Sequence, residues 1–271
     1  MKNRTKYCIA NFKMHKTAIE VLVYITRLWH GGAGGLDNYS VILCPSFTAL
    51  AGLQNRRLQF LDNQKYYSEV HGSQMIIEKG YPQLCAQNMH YENEGAFTGE
   101  ISARMIRDIG ARFVLLGHSE RRQYFNETNE DINLKMIAAK KFQLEPILCI
   151  GESLKERKSN LVETTLRKQL SKCLQNVDSN VIIAYEPVWA IGTGETANSE
   201  IITQAHQLIR KILNDIGFDG QKISILYGGS VNRNNAKGLI SLDDVDGFLV
   251  GGASLDVNHF CDIYKFIKES F

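Results

Sequence analysis

The chain has 271 residues, 44% of them apolar and 22% charged, and its 31 lysines and arginines against 29 aspartates and glutamates leave a formal charge of +2. This is the composition of a soluble globular protein with a sizeable core. It offers no global basic field for nucleic acid and no run of 18 apolar residues to cross a membrane.

The basic start, Met1 to Lys6, is followed by an apolar stretch that ends at Asn11, too short for the core of a signal peptide. Short apolar runs bounded by turn residues then recur along the whole length. They predict strands over residues 7–10, 41–44, 84–86, 113–116, 146–150, 181–185, 223–227 and 247–250. The segments between them carry a helical period. Ile19, Leu22, Val23, Thr26 and Trp29 form one expected helix face, and residues 133–142 and 161–174 carry others. Residues 201–216 place Ile202, Ala205, Leu208, Ile209, Ile212 and Leu213 at i, i+3, i+4 spacing, and a last helix is expected over 257–267. None of the six cysteines is spaced Cys-x-x-Cys, and four fall inside strand-like runs. They read as buried reduced thiols in a reducing compartment, with no metal site and with the cytoplasm as the expected location.

Strands alternating with helices imply right-handed βαβ units and a parallel sheet. Eight such units close naturally into a (β/α)8 barrel, with an open doubly wound sheet as the competitor. An open nucleotide-binding sheet would carry its glycine fingerprint after the first strand. That position reads Asn11-Phe12-Lys13-Met14, without glycine, whereas glycines follow the last three strands, where barrels keep a phosphate site. The expectation is a single (β/α)8 barrel domain over residues 1–271. The polar segment 54–82 reads as an insertion before the third strand, on the face away from chemistry.

The stretch from Val181 to Thr196 organises the rest. A buried strand stops at the carboxylate of Glu186, Pro187 ends it, and a segment with Trp189, Gly192 and Gly194 follows. A base at a strand's C-terminal end, followed by a jointed apolar cover, suits proton chemistry away from water; a carboxylate capping the next loop is the plainer alternative. Asn11 and Lys13, two residues apart in an extended segment, would point into one pocket; a solvated surface lysine is the plainer alternative. The fourth strand ends in Gly117-His118-Ser119-Glu120-Arg121-Arg122, where Ser119 and Glu120 suit a helix start. A histidine there faces a positive dipole end that favours the neutral ring; a structural role within the charge cluster is the alternative. Tyr227-Gly228-Gly229-Ser230-Val231 and Val250-Gly251-Gly252-Ala253 end the last two strands, and paired glycines there predict backbone donors around an anion.

Together with Ala86-Gln87-Asn88, Gly95-Ala96-Phe97-Thr98-Gly99-Glu100 and Cys149-Ile150-Gly151-Glu152, these blocks resemble the triosephosphate isomerase family, in the family's order and over essentially the full chain. The resemblance implies interconversion of dihydroxyacetone phosphate and glyceraldehyde 3-phosphate without cofactor or metal. By motif position it makes Glu186 the base, His118 the neutral electrophile, Lys13 the positive charge and Asn11 a supporting hydrogen bond. Gly192, Ser230, Gly251 and Gly252 would hold the phosphate. Pro187 to Ala197 would be the lid, with Trp189 in it and Tyr227 helping to hold it, and Ser119 and Glu120 in support. It also implies an isologous homodimer with Met14 and Thr98 in its interface. Phe12, Ala10, His15-Lys16 and Glu195 depart from the usual pattern. Two other readings stay open at this stage: a non-catalytic binding or adhesion protein acting through the insertion, and another phosphate-using barrel enzyme.

Overall fold

In a computed structural model, residues 4–30, 40–55, 82–178, 181–190 and 197–270 are described. Among them, eight strands are β1 (Tyr7–Asn11), β2 (Val41–Cys44), β3 (Gln83–Ala86), β4 (Phe113–Leu116), β5 (Glu145–Ile150), β6 (Ile182–Tyr185), β7 (Ile225–Tyr227) and β8 (Gly247–Val250). Each runs parallel to its neighbours in chain order and β1 pairs with β8, so the sheet closes. Closure decides against the open sheet. The eight predicted strands match within two residues at each end.

The helices are α1 (Ala18–His30), α2 (residues 47–55), α3 (Ala103–Asp108), α4 (Ser119–Tyr124), α5 (Asn129–Lys141), α6 (Leu154–Lys158), α7 (Val162–Cys173), α8 (Ser199–Asp215), α9 (Ala236–Ile240) and α10 (Val257–Lys268). Side-chain oxygens of Thr128, Ser153, Asn198 and Asp256 cap the first turns of α5, α6, α8 and α10. The predicted segment 54–82 lies largely outside the described residues; Gln54 and Asn55 belong to α2 and Pro82 leads into β3.

Strand alternation divides the apolar residues into two cores. Ile9, Leu115, Cys149, Ala184, Leu226 and Leu249 belong to the barrel interior. Their neighbours Cys8, Ala10, Val114, Leu148, Ile183 and Ile225 pack outward under the helices. Both faces are dry, which is why the strands read as unbroken apolar runs. All six cysteines are unpaired, and five are buried.

One expected helix face is corrected. In α1 the buried residues are Val21, Tyr24, Ile25 and Leu28, while Ile19 is 74% and Val23 47% exposed, Thr26 is exposed and Leu22 half-buried. The helix is apolar around most of its circumference, so more than one face fits the 3.6 period. What selects the inner face is Tyr24, whose ring meets buried Phe12 edge-on at 4.9 Å.

At the barrel's N-terminal mouth, Arg210 bonds Asp244 at 2.8 Å and Asp246 at 2.7 Å, and Arg4 bonds Asp246 at 2.8 Å, tying the chain start to β8. The fully buried His206 lies beside this cluster, its Nδ1 2.8 Å from the Asp244 carbonyl and its Nε2 without a hydrogen-bond partner among the described residues. Its ring also meets Tyr185 edge-on at 5.7 Å.

Candidate active site

Alternation continues past the strand ends. Two residues beyond Ile9 stands Asn11, and two beyond Ala184 stands Glu186; the same step from Leu226 and Leu249 reaches Gly228 and Gly251. Polar side chains and glycines thus ring the mouth above the interior core. Ladder bonds from Glu186 N–H to the Ile150 carbonyl and from Gly228 N–H to the Tyr185 carbonyl, both 2.8 Å, hold the Glu186 backbone between its neighbouring strands. A Cβ at Gly228 would lie 2.8 Å from Glu186 Cγ, and one at Gly151 would collide with the Glu186 carbonyl, so both glycines are required by the close approach of Glu186.

Glu186 is 3% exposed and His118 5%. Nε2 of His118 lies 3.1 Å from Glu186 Oε1, and the Ser119 N–H donates to Oε2 at 3.3 Å. His118 itself caps α4: its Nδ1 accepts the Glu120 N–H at 3.2 Å. A ring nitrogen that accepts a hydrogen bond carries no proton, so the proton sits on Nε2, facing Glu186. Arg122 pins this turn, donating to the Gly117 carbonyl at 2.7 Å and the Cys149 carbonyl at 3.2 Å.

The two titrations are tied. Burial pushes the Glu186 carboxyl up, but His118, the Ser119 N–H and Lys13 outweigh it and hold the group below the usual carboxylate range. Burial disfavours a charged His118, and the Glu186 carboxylate beside it overrides that, so the ring's pKa is drawn upward. The expected lowering by the helix end is therefore reversed while Glu186 rests on the imidazole. Because Nδ1 is committed to the Glu120 N–H, the bond to Glu186 remains that of a neutral ring donating from Nε2.

Lys13 Nζ pairs with Glu120 Oε1 at 2.6 Å. Its backbone is not the extended segment anticipated: β1 ends at Asn11, Lys13 has φ +50°, and its N–H bonds back to Asn11 Oδ1 at 3.0 Å. Both residues nonetheless line the same cavity, because the turn folds the lysine over the barrel. Gln87 Nε2 clamps the turn, donating to the carbonyls of Lys13 at 2.9 Å and Cys44 at 2.8 Å.

Asn11, Lys13, His118 and Glu186 share a cavity of about 270 Å³ with Gly228, Gly229, Ser230, Gly251 and Gly252. Concavities of about 670 Å³ at the opposite mouth and about 600 Å³ between α1 and α10 are larger. Size does not select the site; the convergence of a buried carboxylate, an imidazole and an ammonium at the strands' C-terminal ends does.

Beside this cavity the first turn after Glu186 is anchored. Trp189 Nε1 donates to Glu152 at 3.0 Å, as do Arg157 at 2.7 Å and the Tyr185 hydroxyl at 3.1 Å, and Glu152 is fully buried. The Arg157 guanidinium also lies over the Trp189 ring at 5.3 Å. Ser230 Oγ donates to the Ala190 carbonyl at 2.9 Å. Tyr227 is buried, which pushes its phenol up to about 12 against the pull of the Ala197 N–H. Gly192 and the lid residues 191–196 lie outside the described residues. Met14 is 96% exposed and Thr98 is exposed, both away from the cavity. Sequence reasoning gave no role to Glu152, Arg157 or Gln87. The signal for Glu152 was present, a carboxylate closing Cys149-Ile150-Gly151, but nothing in the letters linked it to Trp189.

The family model for triosephosphate isomerase matches residues 73–267. The chain belongs to the triosephosphate isomerase family. Relatives bearing that name include one from Endomicrobium trichonymphae, 42% identical over 263 residues, covering 95% of this chain and 97% of the relative. One from Dictyoglomus turgidum is 40% identical over 97% of this chain and 99% of its own length. A third, from Synechocystis, is 42% identical over 94% and 96%. The relatives together extend the match to nearly the whole chain, which includes the first two strands that the family model leaves out.

Proposed function

We propose that the protein interconverts dihydroxyacetone phosphate and glyceraldehyde 3-phosphate, with Glu186 as the base and His118 as the proton shuttle. The reading rests on one observation: Glu186 and His118 face each other at 3.1 Å on the wall of a cavity that Lys13 also lines. Glu186 takes the proton from the hydroxymethyl carbon of the ketose, and the electron pair moves to the carbonyl oxygen as an enediolate forms. Nε2–H of His118 donates to that oxygen and, by giving its proton and taking one from the neighbouring hydroxyl, moves the charge between the two oxygens. Lys13 lowers the energy of the anion, with Asn11 in support. Glu186 then returns its proton to the adjacent carbon, which yields the aldose.

The phosphate lies against Ser230, Gly251, Gly252 and Gly192. An enediolate next to a phosphate ester expels phosphate in water, so Pro187 to Ala197 serves as the cover, with Trp189 and Tyr227 at its two ends. The reaction belongs to glycolysis and gluconeogenesis. Its test is Glu186→Gln in a coupled triose-phosphate assay: turnover is lost while inorganic phosphate still binds, and full activity would refute the assignment.

The assembly proposed is a homodimer. Met14 after β1, Phe97 on the loop that carries Thr98, and Tyr124 and Phe125 at the end of α4 are 96%, 42%, 68% and 66% exposed, large apolar side chains that burial against a second copy would take out of water. The loop carrying Thr98 is braced by Phe97 against His90 at 4.5 Å and by His90 stacked on Tyr91 at 4.4 Å. It would reach the partner's first loop near Met14. The chain is read as one domain with residues 54–82 as an insertion. Unpaired cysteines support a reducing compartment, the cytoplasm.

A further inference from the structure

Asn235 stands at the N-cap of α9, where an asparagine ordinarily accepts an N–H from the first helical turn. Its side chain makes no such bond. The amide turns back along the chain instead. Nδ2 donates to the Ser230 carbonyl at 2.9 Å, and Oδ1 accepts the Asn232 N–H at 2.9 Å. One half-buried side chain thus holds the peptide groups on both sides of Val231. Ser230, Val231 and Asn232 all line the cavity of Glu186 and His118.

This arrangement leaves α9 without its side-chain cap, so the needs of the helix do not account for it. What it fixes is Ser230. The Ser230 hydroxyl is tied to the Ala190 carbonyl at 2.9 Å and its carbonyl to Asn235, which leaves its N–H uncommitted among the described residues. The N–H groups of Gly229 and Val231 are uncommitted in the same sense, whereas that of Asn232 is taken by Asn235. The free donors therefore form one short run that ends where Asn235 binds. The loop is entered through Gly228 and Gly229, which leave the backbone free to rotate. Rotation would exchange an N–H for a carbonyl, and the two act oppositely on an anion. The bond from Asn235 Nδ2 holds the Ser230 carbonyl against that exchange.

We propose that Asn235 is a positioning residue for the anion: it touches no substrate and holds Ser230 so that its N–H is presented to the phosphate. The inference rests on the phosphate site of the proposed reaction. It adds the side chain that keeps the β7 side of that site preorganised, so that phosphate binds without first ordering the loop.

The test compares Asn235→Ala and Asn235→Ser with the wild-type chain. Serine is a good N-cap but too short to replace the bridge from Ser230 to Asn232, so it returns the cap of α9 without the pin. In both variants the dissociation constant of inorganic phosphate, read from the Ser230 amide resonance, rises about tenfold, the loss of one or two hydrogen bonds. KM for glyceraldehyde 3-phosphate rises by a similar factor, while kcat falls less than about threefold. Asn234→Ala, at the exposed neighbouring position, changes neither constant. The serine variant answers alone if alanine prevents folding. A phosphate constant that stays at the wild-type value, or that serine restores together with the melting temperature, would overturn the proposal. A wild-type chain that binds phosphate in an Asn235-dependent way yet does not isomerise triose phosphate would refute the catalytic reading and leave this one standing.

Discussion

His118 Nε2 and Glu186 Oε1 lie 3.1 Å apart although their residues come from β4 and β6, two strands separated by β5. The other carboxylate oxygen takes the Ser119 N–H, so one turn of chain holds both oxygens of the base. The carboxyl is therefore ionised at neutral pH in spite of complete burial, and the energy of that arrangement comes from a neutral donor and a backbone N–H as well as from Lys13.

Removing His118 leaves the burial of Glu186 opposed by fewer groups. In His118→Gln the carboxyl pKa rises, and the acid limb of the kcat/KM profile moves to higher pH. Loss of the proton shuttle lowers kcat about 100-fold or more. An acid limb that stays in place would mean that His118 does not hold Glu186 in the ionised form.

Gly228→Ala tests the seat of the base rather than the base itself. The new Cβ would lie 2.8 Å from Glu186 Cγ, so the carboxylate must shift. A displacement of this kind costs about 10–100-fold in kcat with the melting temperature little changed. Wild-type kcat would show that Glu186 tolerates the movement.

Gly251→Asp acts on the anion. A Cβ at Gly251 finds ordinary room, with Lys13 Cε 3.5 Å and Nζ 3.9 Å away. The added carboxylate draws the ammonium to itself and repels phosphate. The inhibition constant for inorganic phosphate rises about tenfold or more; an unchanged constant would remove Gly251 from the phosphate cradle.

His206 makes the fold acid-sensitive. Burial is the main cause that lowers its pKa from 6.5 to about 4. The folded state binds its proton only near pH 4, whereas the unfolded chain binds it near pH 6.5. Stability is therefore full above the unfolded value and falls as pH drops between them, by about 3 kcal/mol for this group alone. Urea unfolding at fixed protein concentration checks this, and His206→Asn, whose amide can still donate to the Asp244 carbonyl, flattens the dependence over that window.

Phe97→Asp tests the assembly. A carboxylate on the exposed loop tip leaves its own barrel intact and disfavours burial against a second copy. Sedimentation at micromolar concentration is expected to give a dimer for the wild-type chain and a monomer for the variant; a wild-type monomer would refute the dimer.

The local pattern alone determined the eight strands, because each is buried on both faces and so spells an uninterrupted apolar run with a turn signal at its end. It also placed Glu186, His118, Lys13 and the paired glycines at strand ends, where a parallel barrel gathers its chemistry. It misjudged α1, since a helix apolar on several sides has no unique inner face until Tyr24 packs on Phe12. It misjudged the route of Lys13 as well, because a lysine at φ +50° leaves no mark in composition or period. Tertiary structure alone brought Trp189 to Glu152, Gln87 to the Lys13 carbonyl, and Glu186 to Nε2 of His118. Each of these depends on which strand ends the closed barrel makes neighbours. A one-dimensional pattern records what a residue prefers to face, and only the closed sheet decides what it meets.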